Sequence, residues 1–257
     1  MNVQLIDAET GAHLWAERFD KPLADLFDMQ DEIVARLANQ LGAQLIAAEA
    51  RRAERAPHPD STDLYYQGLV WFNKGTTREF MTRARDFFER ALALDPDNVD
   101  ALIGTAQVDA ISGASCLTDD AVKALAAAEV ALTKALLLVP NSAIAHFYMG
   151  VVQRHTNRQT QAIAEFERAL ALNPNLANAR ANIGLAKLFD GRAEETERDV
   201  NEALRLSPRD QRAWLWMAFL GNAQMQLGMN EDAVKWFRRG IELNPNLPFM
   251  RFFLPPP

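Results

Sequence analysis

A Leu-x-Pro triplet recurs five times in this 257-residue chain, as Leu94-Asp95-Pro96, Leu138-Val139-Pro140, Leu172-Asn173-Pro174, Leu206-Ser207-Pro208 and Leu243-Asn244-Pro245. The prolines stand 44, 34, 34 and 37 residues apart. Proline has no amide hydrogen to continue a helix, and it pushes the residue before it into extended backbone. A helix stop that returns at this interval marks a solenoid, whose units bury their apolar faces only by stacking on one another. Such a scaffold offers a binding surface rather than a reaction centre.

The remaining composition fits that reading. Half the residues (49%) are apolar and 24% are charged, which suffices for a core. The net charge of −7, with acids and bases interspersed, argues against a nucleic-acid footprint and against a polybasic membrane patch. Cys116 is the only cysteine, so no internal disulfide forms and a reducing compartment is expected. The N-terminus lacks the basic and apolar regions of a leader, and no apolar run approaches the ~18 residues of a membrane helix. The expected location is the cytoplasm.

Periodicity divides the chain. In residues 1–21, Val3 and Leu5, then Leu14, Ala16 and Phe19, alternate around Asp7-Ala8-Glu9-Thr10-Gly11, which predicts a short β-hairpin. In residues 22–56 the spacing of Leu23, Leu26, Phe27, Ile33, Val34, Leu37, Leu41, Leu45 and Ile46 predicts a long amphipathic helix. Pro57-His58-Pro59-Asp60 forms a linker. Residues 61–245 form the array, each unit reading helix A, turn, helix B and stop. Residues 246–257 begin a sixth unit that is cut off at Pro255-Pro256-Pro257.

The array resembles the tetratricopeptide repeat (TPR). The third unit carries Gly150, Ala162, Phe166, Ala169 and Pro174 at that family's spacing. The fourth keeps Gly184, Ala203 and Pro208 but has Thr196 and Val200 at its small and aromatic helix-B sites. The first has Gly68, Ala84, Phe88, Ala91 and Pro96, with about four extra residues near 73–77. The second has Ala106, Ala128, Leu132, Ala135 and Pro140, with ten extra around 113–120. The fifth has Trp214, Ala218, Ala233, Phe237, Gly240 and Pro245, with three extra. The resemblance implies an all-α, right-handed α-solenoid of about five helix pairs, preceded here by the hairpin and the long helix. Residues 3–20 and 26–33 resemble the end of a TolB-like or FlgO-like domain. That resemblance implies kinship with bacterial regulators in which such a domain joins a nucleotide cyclase or a winged helix to TPR arrays.

No catalytic constellation accompanies these repeats. His13, His58, His146 and His155 lack metal-ligand spacing, and HExxH, P-loop and GxGxxG motifs are absent. Neither a cofactor nor a metal is expected. Helix A lines the concave groove in the family, and helical spacing assigns the groove to Tyr65, Leu69 and Phe72, then Ile103, Gln107 and Ala110. Phe147, Val151 and Arg154 follow, then Ala181, Leu185 and Leu188, then Leu215, Phe219 and Asn222. This row reads as mainly apolar, with Phe147, Leu185 and Phe219 as anchors. An apolar groove calls for an occupant. It is either the chain's own N-terminal helix or C-terminal tail, in cis or from a second chain, or a foreign helical or extended peptide.

The expected function is a non-catalytic protein-interaction scaffold. The alternative is a regulatory fragment of a cyclase-like or winged-helix signalling protein. The hairpin's open edge and the apolar tail favour a homodimer.

Overall fold

The computed structural model describes residues 2–6, 11, 13–18, 46, 48–54, 57–115, 117–207, 210 and 212–244. The chain divides into two compact units, Met1–Ala48 and Glu49–Pro257. In the first, β1 (Asn2–Ile6) pairs antiparallel with β2 (His13–Arg18). Val3 lies opposite Glu17 and Leu5 opposite Trp15, with an irregularity between Leu5 and Ile6. Of the long helix expected over 22–56, only residue 46 and α1 (residues 48–54) lie among those described, and they are helical. The tail, 246–257, and Cys116 lie outside them.

The second unit contains five helical hairpins: α2 (Ser61–Asn73) with α3 (Arg78–Leu94), α4 (Val99–Ala114) with α5 (Ala121–Leu138), α6 (Ala143–His155) with α7 (Gln159–Leu172), α8 (Ala177–Phe189) with α9 (Ala193–Leu206), and α10 (Ala213–Gln226) with α11 (Asn230–Leu243). Each Leu-x-Pro triplet ends a helix as its chemistry demands. The middle residues Asp95, Val139, Asn173, Ser207 and Asn244 have left helical geometry, with φ of −137°, −132°, −139°, −141° and −142°. Side chains of Asp60, Thr77, Asn98, Asp120 and Ser142 cap α2 to α6. No side-chain cap opens α7 to α11.

The insertions largely lengthen helices rather than loops. The third unit, without insertion, has helices of 13 and 14 residues. In the second unit the helices grow to 16 and 18 residues, which absorbs most of the ten extra positions. In the first, α3 grows to 17.

Within a hairpin, the helices touch where a glycine faces a phenylalanine. A Cβ on Gly150 would stand 2.6 Å from Phe166, one on Gly68 2.5 Å from Phe88, and one on Gly221 2.5 Å from Phe237. All three rings are fully buried. The glycine thus lets an aromatic ring replace a side chain between the two backbones.

The fourth unit solves the contact differently. Val200 stands at Gly184, and Thr196 Oγ1 donates a hydrogen bond to the Gly184 carbonyl at 3.0 Å. Nearby, Lys187 Nζ lies 2.8 Å from Asp199 Oδ2 and 3.0 Å from Glu195 Oε2, with Lys187 5% and Asp199 2% exposed. Hydrogen bonds from Arg192, and then from Lys187, hold the Glu195 carboxyl down to about 2.

The turns between paired helices need left-handed backbone. Gly191 (φ 80°) and Gly228 (φ 76°) supply it in the fourth and fifth units, and Asn157 (φ 60°) in the third. Gly191→Ala is expected to cost about 1–2 kcal/mol, the penalty of a Cβ in that conformation. Asn157→Gly should be neutral or slightly stabilising, because asparagine already tolerates the region. Urea unfolding of both variants measures the contrast.

Candidate protein-binding face

The packing order identifies the inner side of the array. Each even-numbered helix packs on the even-numbered helix of the next unit, α2 on α4, α4 on α6, α6 on α8 and α8 on α10. Among the described residues, successive odd-numbered helices pack less than this. The even-numbered helices, the helix A of each unit, therefore form one contiguous layer.

That packing corrects the chemistry expected of the row. Leu69, Ile103, Ala110, Phe147, Val151, Ala181, Leu185, Leu188 and Phe219 are all buried. Ile103, Ala110, Phe147 and Val151 belong to one apolar cluster, and Ala181, Leu185, Leu188 and Phe219 to another. The Phe147 ring lies 5.8 Å from Phe166 and 5.0 Å from Tyr148. The expected anchors Phe147, Leu185 and Phe219 are therefore core residues of these clusters. The partly exposed members are Tyr65, Phe72, Gln107, Arg154, Leu215 and Asn222. What remains accessible mixes aromatic, amide and cationic groups rather than forming a long apolar trough.

The fifth unit also needs a shift of phase. Gly221, not Ala218, meets the helix-B phenylalanine, at the same separation in sequence as Gly150 from Phe166. The three extra residues thus lie ahead of this contact, where the connection from Leu206 to Ala213 is longer than the other connections between successive units. Ala218, Asn222 and Met225 occupy the places that Leu215, Phe219 and Asn222 were expected to take. Ala218 is buried, Asn222 partly exposed and Met225 exposed.

Arg154 is chemically distinct in this row. Its guanidinium Nη2 donates to His155 Nε2 at 2.8 Å, and its Nε is buried without a hydrogen-bond partner. No carboxylate pairs with it among the described residues. Burial alone lowers the guanidinium to about 10. Burial, with the Arg154 charge behind it, lowers the His155 imidazole to about 4, so its nitrogen can accept. Helical spacing alone puts Arg154 in the row, but only packing shows that no carboxylate among the described residues answers its charge.

Other polar groups are committed to structure. His146 Nδ1 meets Glu165 Oε2 at 2.5 Å, and its Nε2 faces the Pro140 carbonyl at 2.9 Å. The second unit's insertion opens a cleft of about 490 Å³ between α3, α4 and α5 that spacing did not foretell. Both of its arginines are matched, Arg85 with Asp109 and Arg78 with Asp119 at 3.0 Å. Burial raises the Asp109 carboxyl even beside Arg85. Among the described residues no His, Cys, Asp and Glu cluster could hold a metal ion, and no helix is long and apolar enough to cross a membrane.

Comparisons with known proteins agree with this architecture. Family models of the tetratricopeptide repeat match residues 143–176 and 217–247. A thermophilic TPR protein of Thermus thermophilus superposes with a TM-score of 0.59 at 17% identity, covering 75% of this chain and 95% of that one. PilW, a widely conserved type IV pilus biogenesis factor, gives 0.58 at 22% identity, covering 73% and 79%. The putative adenylate cyclase 3 of Rhizobium meliloti (strain 1021) is 39% identical over 101 residues, which are 37% of this chain and 16% of that protein. Residues 143–176 and 217–247 thus match the tetratricopeptide repeat, and the helical array around them shares the fold of solved TPR proteins.

Proposed function

We propose that the array is a non-catalytic protein-interaction scaffold that holds a helical or extended peptide segment against its inner helices. The observation that carries this reading is Arg154, a cation on the inner face with no carboxylate beside it among the described residues. A guanidinium whose Nε is shut from water without a partner is costly, and an acidic group on a partner would relieve it. The half-exposed Gln107 and Asn222 supply amide donors and acceptors, and Tyr65 and Phe72 supply aromatic surface. The buried Phe147, Val151 and Leu185 form the floor beneath. The reading places the chain in the cytoplasm, with protein rather than nucleic acid or membrane as its partner.

A display library of random peptides tests it. Selected sequences should be enriched in Asp or Glu, and Arg154→Gln should weaken their binding about ten- to a hundredfold, the worth of one charge-assisted hydrogen bond. The variant should keep the thermal midpoint of the parent. Selection without acidic enrichment, or unchanged affinity in a folded Arg154→Gln, would reject the reading.

The likeness to part of a putative adenylate cyclase favours a second reading. Here the array is the regulatory part of a cyclase-like or winged-helix signalling protein, and the N-terminal TolB-like or FlgO-like resemblance points the same way. An in-frame upstream sequence encoding either effector would support it, and a closed frame would refute it.

A further inference from the structure

Helix α5 breaks the surface rule that the other outer helices obey. Its 18 residues, Ala121–Leu138, include only Lys123, Glu129 and Lys134 as charged groups. The inner face is settled: Leu125, Ala128, Leu132 and Ala135 are buried. On the opposite side Val122, Ala126, Val130, Thr133 and Leu137 recur at steps of four, four, three and four, which keeps them on one stripe. Val122 is 80% exposed, Val130 72% and Leu137 78%. At the places equivalent to Val130, Thr133 and Leu137, α9 carries Arg198, Asn201 and Arg205, and α11 carries Lys235, Arg238 and Glu242. A solenoid has no folding use for an apolar outer stripe on one unit, and an isolated helix apolar all round belongs in an interior.

We propose that this stripe is a homodimer interface, in which α5 of two copies pack antiparallel about a two-fold axis beside Val130. The proposal rests on a different surface from the peptide-binding face and goes beyond that reading. Two features select a second copy as the occupant. First, the stripe is complementary to itself under such an axis. Val122 meets the other copy's Leu137, Ala126 meets Thr133, and Val130 meets Val130, so large residues pair at both ends and a small one faces a mid-sized one between. Second, no member of the stripe is charged. Of the charged groups that flank it, Lys134 is held by Asp97 at 2.8 Å and Glu129 by Arg158 at 2.7 Å, and Lys123 stands exposed at its edge.

The size sets the strength. From Val122 to Leu137 the stripe runs about 22 Å along the helix axis. Pairing it with its copy removes roughly 500 Å² from each, about 1,000 Å² in all, near the lower limit for a specific interface. The dimer is therefore a weak one that exchanges with monomer at micromolar concentration.

Sedimentation equilibrium and cysteine pairing test this on the full chain. The expected result is a monomer–dimer equilibrium that Val130→Glu with Leu137→Glu weakens at least tenfold, with the thermal midpoint unchanged because both side chains face solvent. In a Cys116→Ser background, Val130→Cys should form a disulfide-linked dimer under mild oxidation. Val122→Cys should not link to itself, since the axis sets its two copies roughly 24 Å apart along the helices. Val122→Cys mixed with Leu137→Cys should link. A strictly monomeric chain, a dimer indifferent to the glutamates, or equal linking by the 122 and 130 cysteines would each overturn the proposal. Capture of a foreign amphipathic helix on α5 by a monomeric chain would overturn it as well.

Discussion

Lys187→Met is expected to destabilise the array by about 3–5 kcal/mol, the cost of breaking a buried ion pair from one side. The substitution keeps the apolar stem and removes only the ammonium that sits 2.8 Å from Asp199. Asp199 is 2% exposed, so water cannot replace the lost partner. Arg180 and Arg198 lie 3.8 Å from the other carboxylate oxygen and soften the loss, which sets the lower end of the range as the closer figure. The informative control is Lys187→Met with Asp199→Leu. Removing both charges leaves neither member of the pair stranded; Glu195 keeps Arg192, and only the 3.8 Å contacts of Arg180 and Arg198 are lost, so the double variant should recover most of the stability. Chemical denaturation of the two single variants and the double gives the coupling. A double variant as unstable as Lys187→Met would mean that the pair adds more than mutual neutralisation.

Phe166→Ala should cost a similar amount, about 3–5 kcal/mol, for a different reason. The ring is sealed from water and fills the space that Gly150 leaves open. The loss combines transfer of the ring with a cavity that two close backbones cannot collapse to fill. The same contact can be stressed from its other side. Gly150→Val crowds the ring and should cost about 1–3 kcal/mol by overpacking, although valine is the better helix former. Combining Gly150→Val with Phe166→Leu should recover part of that loss. Unfolding midpoints at matched slopes test whether the pair behaves as one unit.

The recurring Leu-x-Pro triplets made the helix ends legible, because proline acts on its immediate neighbours and needs no tertiary context. The Gly150, Ala162 and Phe166 spacing was legible for a related reason: a ring over a glycine is a local geometry. The fifth unit misled, since Ala218 and Gly221 are both small and stand one turn apart. Only the Phe237 contact distinguishes them. The inner face was legible in position but not in chemistry. Phe147 and Leu185 lie on the helices to which spacing assigned the groove, yet tertiary packing takes them into the apolar clusters. The outer stripe of α5 escaped periodicity altogether. When Leu125 and Leu132 on one side are matched by Val122, Val130 and Leu137 on the other, a helical wheel has no phase to report.

Helix α8 has a mechanical consequence. Ala179, Ile183 and Ala186 on one side of it belong to the apolar cluster that runs back to α4. Ala177, Ala181, Leu185 and Leu188 on its other side belong to the cluster that runs forward to α10. The oily interior is not continuous through the array, and this rod is the party wall between its two larger chambers; smaller clusters lie beyond them, Leu64, Ala91 and Ala101 at one end and Ala218, Ala233 and Phe237 at the other. Strain arising in one chamber can reach the other only as tilt or rotation of that wall. A guest lying across the inner helices on both sides would brace the wall from outside, so that occupancy becomes stiffness along the length of the array.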